Sequence, residues 1–147
     1  MKSKITPQGC TNLKLRQLSR IVTRHYDHHL VGSGLKITQY SLLSYIVKLG
    51  PIQLNELAKH MQMDASTLTR NMQSLVAQGW VTINPSDNAR SRLAQTTETG
   101  LLKRIEVQKA WKQAQMDLNE RLGEETTTAM HKLLDRCIEN LSENFVD

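Results

Sequence analysis

A chain of 147 residues, 39% hydrophobic and 22% charged, can bury one core but is too short for a multidomain enzyme, since domains usually take about 100–150 residues. Its net charge of +5 is compatible with nucleic acid, yet the six aromatic residues form no run beside basic ones, which argues against a stacking surface for single strands. No apolar run reaches the roughly 18–20 residues of a membrane span and the first residues lack the apolar centre of a secretion signal, so a cytoplasmic chain without membrane contact is expected.

The charge is uneven along the chain. Residues 1–34 hold six Lys/Arg against one acid, residues 35–100 six against four, and residues 101–147 seven against nine. Cys10 and Cys137 are too far apart for a metal knuckle or a disulfide framework and are read as free thiols.

Helical periodicity opens the chain: Leu15, Leu18, Val22, His25 and His29 recur at three- and four-residue steps. They predict a helix over about 10–30, stopped by Gly32-Ser33-Gly34. Thr38 can cap a second helix over 40–49, which Gly50-Pro51 ends. A third, shorter helix is predicted over 54–61. Asp64 is a good N-cap for a fourth, along which Leu68, Met72 and Leu75 line one face up to Gly79. The period then changes to two at Val81 and Ile83, a polar stretch over 84–91 follows, and 92–96 is again extended, which reads as a β-hairpin with a long tip. Thr97-Glu98 opens a long helix that Gly123 breaks. The last helix places Met130, Leu134, Cys137, Leu141 and Phe145 at heptad-like spacing, with Cys137 expected as a small buried hydrophobe. The terminal helices carry long apolar stripes that a monomer has little to cover, so a homodimer of intertwined helices is expected.

Helix, tight turn, helix and hairpin over 54–96 is the order of a winged helix-turn-helix. The fourth helix starts abruptly at Asp64 and presents Ser66, Thr67, Thr69, Arg70 and Asn71, polar groups of the kind that reach phosphates and base edges in a major groove. Arg70 stands out, because a guanidinium pairs bidentately with guanine O6 and N7. The competing readings are local: hydroxyls cap and back-bond in any helix, and an arginine can simply be solvated. At the hairpin tip Arg90 and Arg92 suit a narrow, electronegative minor groove, and Asp87 could orient a guanidinium beside them.

These residues also carry a likeness. Asp64 to Asn71, then Leu75, Gly79 and Val81, then Asp87-Asn88-Ala89-Arg90-Ser91-Arg92 and Thr97-Glu98-Thr99-Gly100 resemble the recognition helix, wing and following helix start of the MarR family, the multiple antibiotic resistance regulators. Gly34-Leu35, Thr38-Gln39-Tyr40 and 54–58 fit the family's preceding helices. The resemblance implies a mainly α fold with a small β-hairpin wing. It implies one MarR-like domain over 1–147, with the winged-helix DNA-binding part at 35–100 and dimerisation helices at 1–34 and 101–147. It further implies a homodimeric transcriptional regulator, usually a repressor relieved by a small ligand or oxidant, whose partner is a pseudo-palindromic double-stranded DNA operator. Two positions depart from the family pattern. Gln62 sits where the turn often has glycine, and a left-handed backbone there costs a side-chain-bearing residue about 1 kcal/mol. Thr96, beside polar Gln95, replaces a frequent leucine, so a weakly anchored second wing strand and a mobile wing are expected.

His25, His28 and His29 fall at i, i+3 and i+4, a spacing that can bring two imidazoles to one metal, but Asp27 is the only nearby carboxylate and completes no convincing set. No cofactor or metal is expected, and a metal-responsive regulator using these histidines is an alternative reading. By the resemblance, His25, Tyr26, His29, Tyr45 and Trp111 instead line an effector crevice between the dimer and DNA-binding parts. Cys10 lies at a helix start with Lys14 a turn on, which favours thiolate and makes it the redox candidate. Residues 19–26 resemble the organic-hydroperoxide-sensing branch, whose cysteine by count falls on Asn12 and whose two tyrosines fall on Tyr26 and Ile37. No phosphate loop, nucleophile elbow, HExxH or paired carboxylates occur, so no enzyme is expected; a helical protein-interaction adaptor is the remaining alternative.

Overall fold

The computed structural model describes residues 5–87 and 91–142. The chain forms α1 (Thr11–His29), α2 (Ile37–Leu49), β1 (Ile52–Gln53), α3 (Leu54–His60), α4 (Ala65–Ala77), β2 (Val81–Pro85), β3 (Arg92–Thr96), α5 (Glu98–Leu122) and α6 (Glu124–Ser142). The fold is mainly α with a small antiparallel sheet in the order β1-β3-β2. None of the described helices is long and apolar enough to cross a membrane.

The core gathers around α2, where Leu42, Leu43 and Ile46 are fully buried, and takes in Leu57 from α3, Leu68, Met72 and Leu75 from α4, Val81 from β2, Ala94 from β3 and Val107 from α5. The apolar stripe read along 68–75 is thus the buried face of α4. Its opposite face is left to solvent.

Helix α2 starts at Ile37, three residues before the predicted 40. Lys36 is its N-cap residue, and the carboxylate of Asp27, on α1, accepts from the Ile37 N–H at 2.8 Å while the Gln39 side chain accepts from Lys36 N–H at 2.9 Å. The helix is capped from a neighbouring element, which frees Thr38 to join the first turn. The strand β1 is a second departure from the sequence reading. Its two residues pair Ile52 with Ala94 and Gln53 with Leu93, so β3 is the central strand, bonded to β2 from Val81↔Thr96 to Pro85↔Arg92 on its other side. The expectation of a weakly anchored second wing strand is therefore corrected. Ladder bonds on both edges and the fully buried Ala94 hold it, whatever the polarity of Gln95 and Thr96.

The turn between α3 and α4 puts Gln62 at φ 54°, the left-handed conformation for which glycine is the usual choice. At the other end of α4, Gly79 adopts φ 77° and turns the chain into β2.

Candidate nucleic-acid interface

Helix α4 begins as abruptly as its sequence implies. The Asp64 carboxylate accepts from Thr67 N–H at 2.7 Å and from Ser66 Oγ at 2.8 Å. The Thr67 main-chain bond, with the Thr67 and Ser66 side chains behind it, holds the Asp64 carboxyl below its ordinary range. Thr69 Oγ donates back to Ala65 O at 2.9 Å. The hydroxyl protons of Ser66 and Thr69 are thus spent locally, and these groups face solvent as acceptors. Asn71 is half-buried, its amide Nδ2 3.8 Å from Met63 Sδ, so it leans towards the body of the domain. Arg70 is exposed and, among the described residues, carries no hydrogen bond or ion pair. Its guanidinium is therefore available to a ligand.

The wing rises beside it. Arg92, exposed at the first position of β3, and Ser91 share a cleft of about 310 Å³ with Ala65, Leu68 and Thr69 of α4. The root of the wing and the front of α4 therefore form one surface. Asp87 is exposed and, among the described residues, makes no ion pair with Arg92, contrary to the expectation that it orients a guanidinium there; Asn88 and Arg90 lie outside the described residues. Behind the wing, Thr97 fixes the start of α5: its N–H donates to Trp80 O at 3.0 Å, its Oγ donates to Gly79 O at 2.7 Å and accepts from Gly100 N–H at 3.0 Å.

The five residues expected in one crevice fall in different places. Tyr45 and Trp111 line a pocket of about 580 Å³ between α2 and α5. Tyr40 stacks on Trp111 there, with ring centroids 6.1 Å apart and 26° between planes, while Lys48 and Arg104 supply two cations. Arg104 Nε lies 3.4 Å from Ser44 Oγ. Tyr26 is buried instead at the junction of α1 and α5, where its hydroxyl donates to Gln115 Oε1 and burial pushes its pKa up. His25 and His29 face Asp117 of α5; His28 is exposed. Asp27, the carboxylate the sequence offered them, is bonded to Ile37.

Cys10 is the N-cap residue of α1 and is exposed, and the Lys14 ammonium donates to Gln8 O at 2.7 Å. Sixteen helical residues put Tyr26 about 24 Å from Cys10 along the axis, so one chain does not assemble the tyrosine-bonded thiolate pocket. Cys137 is exposed, not buried, because α6 has no buried residue in the single chain.

The profile of the MarR family matches residues 33–90, from the entry into α2 to the tip of the wing. Over these residues the chain is similar to the MarR family. Over 85 residues it is 26% identical to YwoH of Bacillus subtilis (strain 168), an uncharacterised HTH-type transcriptional regulator; the match covers 58% of this chain and 62% of that protein. The chain thus spans less than two thirds of that relative. Its fold is similar to the M. tuberculosis transcriptional regulator MOSR in complex with DNA (TM-score 0.75, 25% identity, 92% of this chain and 96% of that one). A mutant E. coli MarR complexed with operator DNA gives 0.76 at 22% identity over 86% and 92%, and a MarR protein from Peptoclostridium difficile gives 0.78 at 20% over 98% and 97%.

Three contributions were missed in the sequence. Lys48 and Arg104 in the pocket carry no local signal beyond being basic, and they meet only because α5 packs on α2. Asp117 meets the histidines for the same kind of reason, across α1 and α5. The capping role of Asp27 was hidden because helix caps are sought next to the helix, not ten residues upstream.

Proposed function

We propose that two copies of this chain bind a pseudo-palindromic stretch of double-stranded DNA and regulate transcription, acting as a repressor that a small ligand releases. Each copy lays α4 in the major groove, with Ser66, Thr67, Thr69 and Arg70 towards the bases and phosphates, and sets its wing, with Arg92 and Arg90, against the adjacent minor groove. The observation that carries this reading is the exposed Arg70, without a hydrogen bond or ion pair among the described residues, on a sharply capped helix whose front shares a cleft with Arg92. That MOSR and a MarR were each solved with DNA supports it. Dimerisation is supported by unpartnered apolar faces: Leu133, Leu134, Ile138 and Leu141 of α6 and Leu13, Leu15, Leu18 and Ile21 of α1 are all at least one third exposed. The two recognition helices are then expected about 34 Å apart, one turn of DNA.

The test is a footprint on the DNA upstream of the chain's own gene, followed by a salt series. Arg70→Ala is expected to cost about 1–3 kcal/mol and relax preference at particular bases, as loss of a bidentate base contact does. Arg92→Ala should weaken all sequences alike and lower the salt slope by roughly one unit per contact. Salt-independent binding, or both variants matching the parent, would refute the reading and favour a protein-interaction adaptor.

The ligand belongs in the pocket of Tyr40, Tyr45, Trp111, Lys48 and Arg104, whose aromatic wall and two cations suit a small aromatic anion. Benzoate-class carboxylates are expected to raise the Tm of the parent and to leave that of the Lys48→Ala, Arg104→Ala double variant unchanged.

A further inference from the structure

We infer that His25, His29 and Asp117 form a binding site for one divalent transition-metal ion of the zinc class, clamping α1 to α5. One ligand atom from each residue lies within 4.8 Å of the other two. His29 Nε2 and Asp117 Oδ2 are 3.4 Å apart. Bond lengths of roughly 2.0–2.1 Å at tetrahedral angles put neighbouring ligands about 3.4 Å apart, so this pair already spans one edge of a zinc polyhedron. His25 and His29, one helical turn apart, rise from the same face of α1 with ring centroids 4.7 Å apart.

The orientation of the rings is prepared from outside the site. A carbonyl oxygen can only accept, so the His29 Nδ1 at 3.0 Å from His25 O is its protonated nitrogen, and a neutral His29 turns its Nε2 lone pair towards Asp117. His25 Nε2 donates in the same way to Ala114 O on α5 at 2.8 Å, leaving the other ring nitrogen with the lone pair. Imidazole ligands are ordinarily held by such outer bonds to carbonyls. The site is also reachable: the His29 and Asp117 side chains are 19% and 34% exposed, which leaves room for ion entry and for a water as a further ligand. Arg121 approaches Asp117 Oδ2 only to 3.9 Å and is itself largely exposed, so it can swing away. Two imidazoles and one carboxylate are the donor set of borderline ions such as Zn(II) and Co(II), not of Mg(II) or Ca(II), which prefer all-oxygen shells.

The test uses chelator-treated full chain titrated with Co(II), whose visible absorbance reports low-symmetry coordination, and then with Zn(II) in competition. The expected result is one Co(II) per chain, displaced by Zn(II), with affinity lowered at least tenfold in His29→Gln and in Asp117→Asn but unchanged in His28→Ala. Zn(II) should raise the Tm of the parent and not of the two ligand variants, whose metal-free Tm also reports that they fold. No saturable binding, equal affinity in the ligand variants, or an equal loss in His28→Ala would overturn the inference, whether or not the chain binds DNA.

Discussion

Asp64 holds the front of α4 through one carboxylate that accepts from a main-chain N–H and nearby hydroxyls. Because these bonds lower its pKa from the ordinary 3.8, the cap contributes fully above that value and is lost as the pH falls through the lowered one. Asp64→Ala is expected to lower the Tm at neutral pH, with the gap to the parent closing in acid below 3.8, while Asp64→Asn, which caps without ionising, should restore most of the neutral-pH stability. Thermal melts at stepped pH check both. Tyr26 behaves in the opposite sense. Burial raises its pKa above 10.0, so its contribution is complete below the unfolded value and is lost as the pH rises through the folded one. Tyr26→Phe should remove that part of the alkaline decline in Tm, and an unaltered alkaline limb would show that the phenol is not responsible.

At the scale of elements, the junction of wing and α5 leaves no slack. A Cβ on Gly100 would stand 2.0 Å from Trp80 O and 2.7 Å from Thr96 Oγ, an approach that only glycine permits. Gly100→Ala must therefore part α5 from the start of β2, and is expected to cost about 1–3 kcal/mol, as overpacking usually does. A lower urea midpoint with an unchanged slope is the measurement. This junction also shows what the sequence made legible. Thr97-Glu98-Thr99-Gly100 marked the helix start, and the change of period at Val81 marked the hairpin, because both signals are local. The same is true of α4, whose cap and stripe stand side by side in the sequence. β1 escaped notice because two residues have no periodicity, and its pairing with β3 is purely tertiary. The start of α2 was misplaced because its cap comes from Asp27 on another helix. Within the candidate site, Arg70 could be read from its place in α4, whereas the inward lean of Asn71 towards Met63 depends on the packing of the α3–α4 turn.

The molecule as a whole is two unequal parts: a winged-helix core with a filled interior, and arms whose apolar residues face outwards. Helix α6 has no buried residue, although Leu134, Ile138 and Leu141 stand on it at helical spacing. The expected outcome is a dimer by light scattering at micromolar concentration. Leu134→Glu combined with Ile138→Glu should give monomers that keep the core's fold by circular dichroism but lose at least tenfold in DNA affinity, because one half-site then binds alone. A dimer that survives this pair would place the interface elsewhere.

Helix α5 joins those two parts without a break. Its first turn is locked to Gly79 and Trp80, its middle supplies Arg104 and Trp111 to the pocket wall, and its end carries Asp117 before Gly123 passes the chain to α6. Twenty-five residues make a rod of about 38 Å at 1.5 Å per residue. A rod fixed at one end turns a small angle into a large displacement: a tilt of about 5° about its locked turn carries the far end through roughly 3 Å over that length. In the proposed dimer, held through α1 and α6, the same tilt, seen from the interface, would swing the two α4 helices relative to each other. The proposed ligand, lodged partway along the rod, would thereby gain leverage on the spacing of surfaces it never touches.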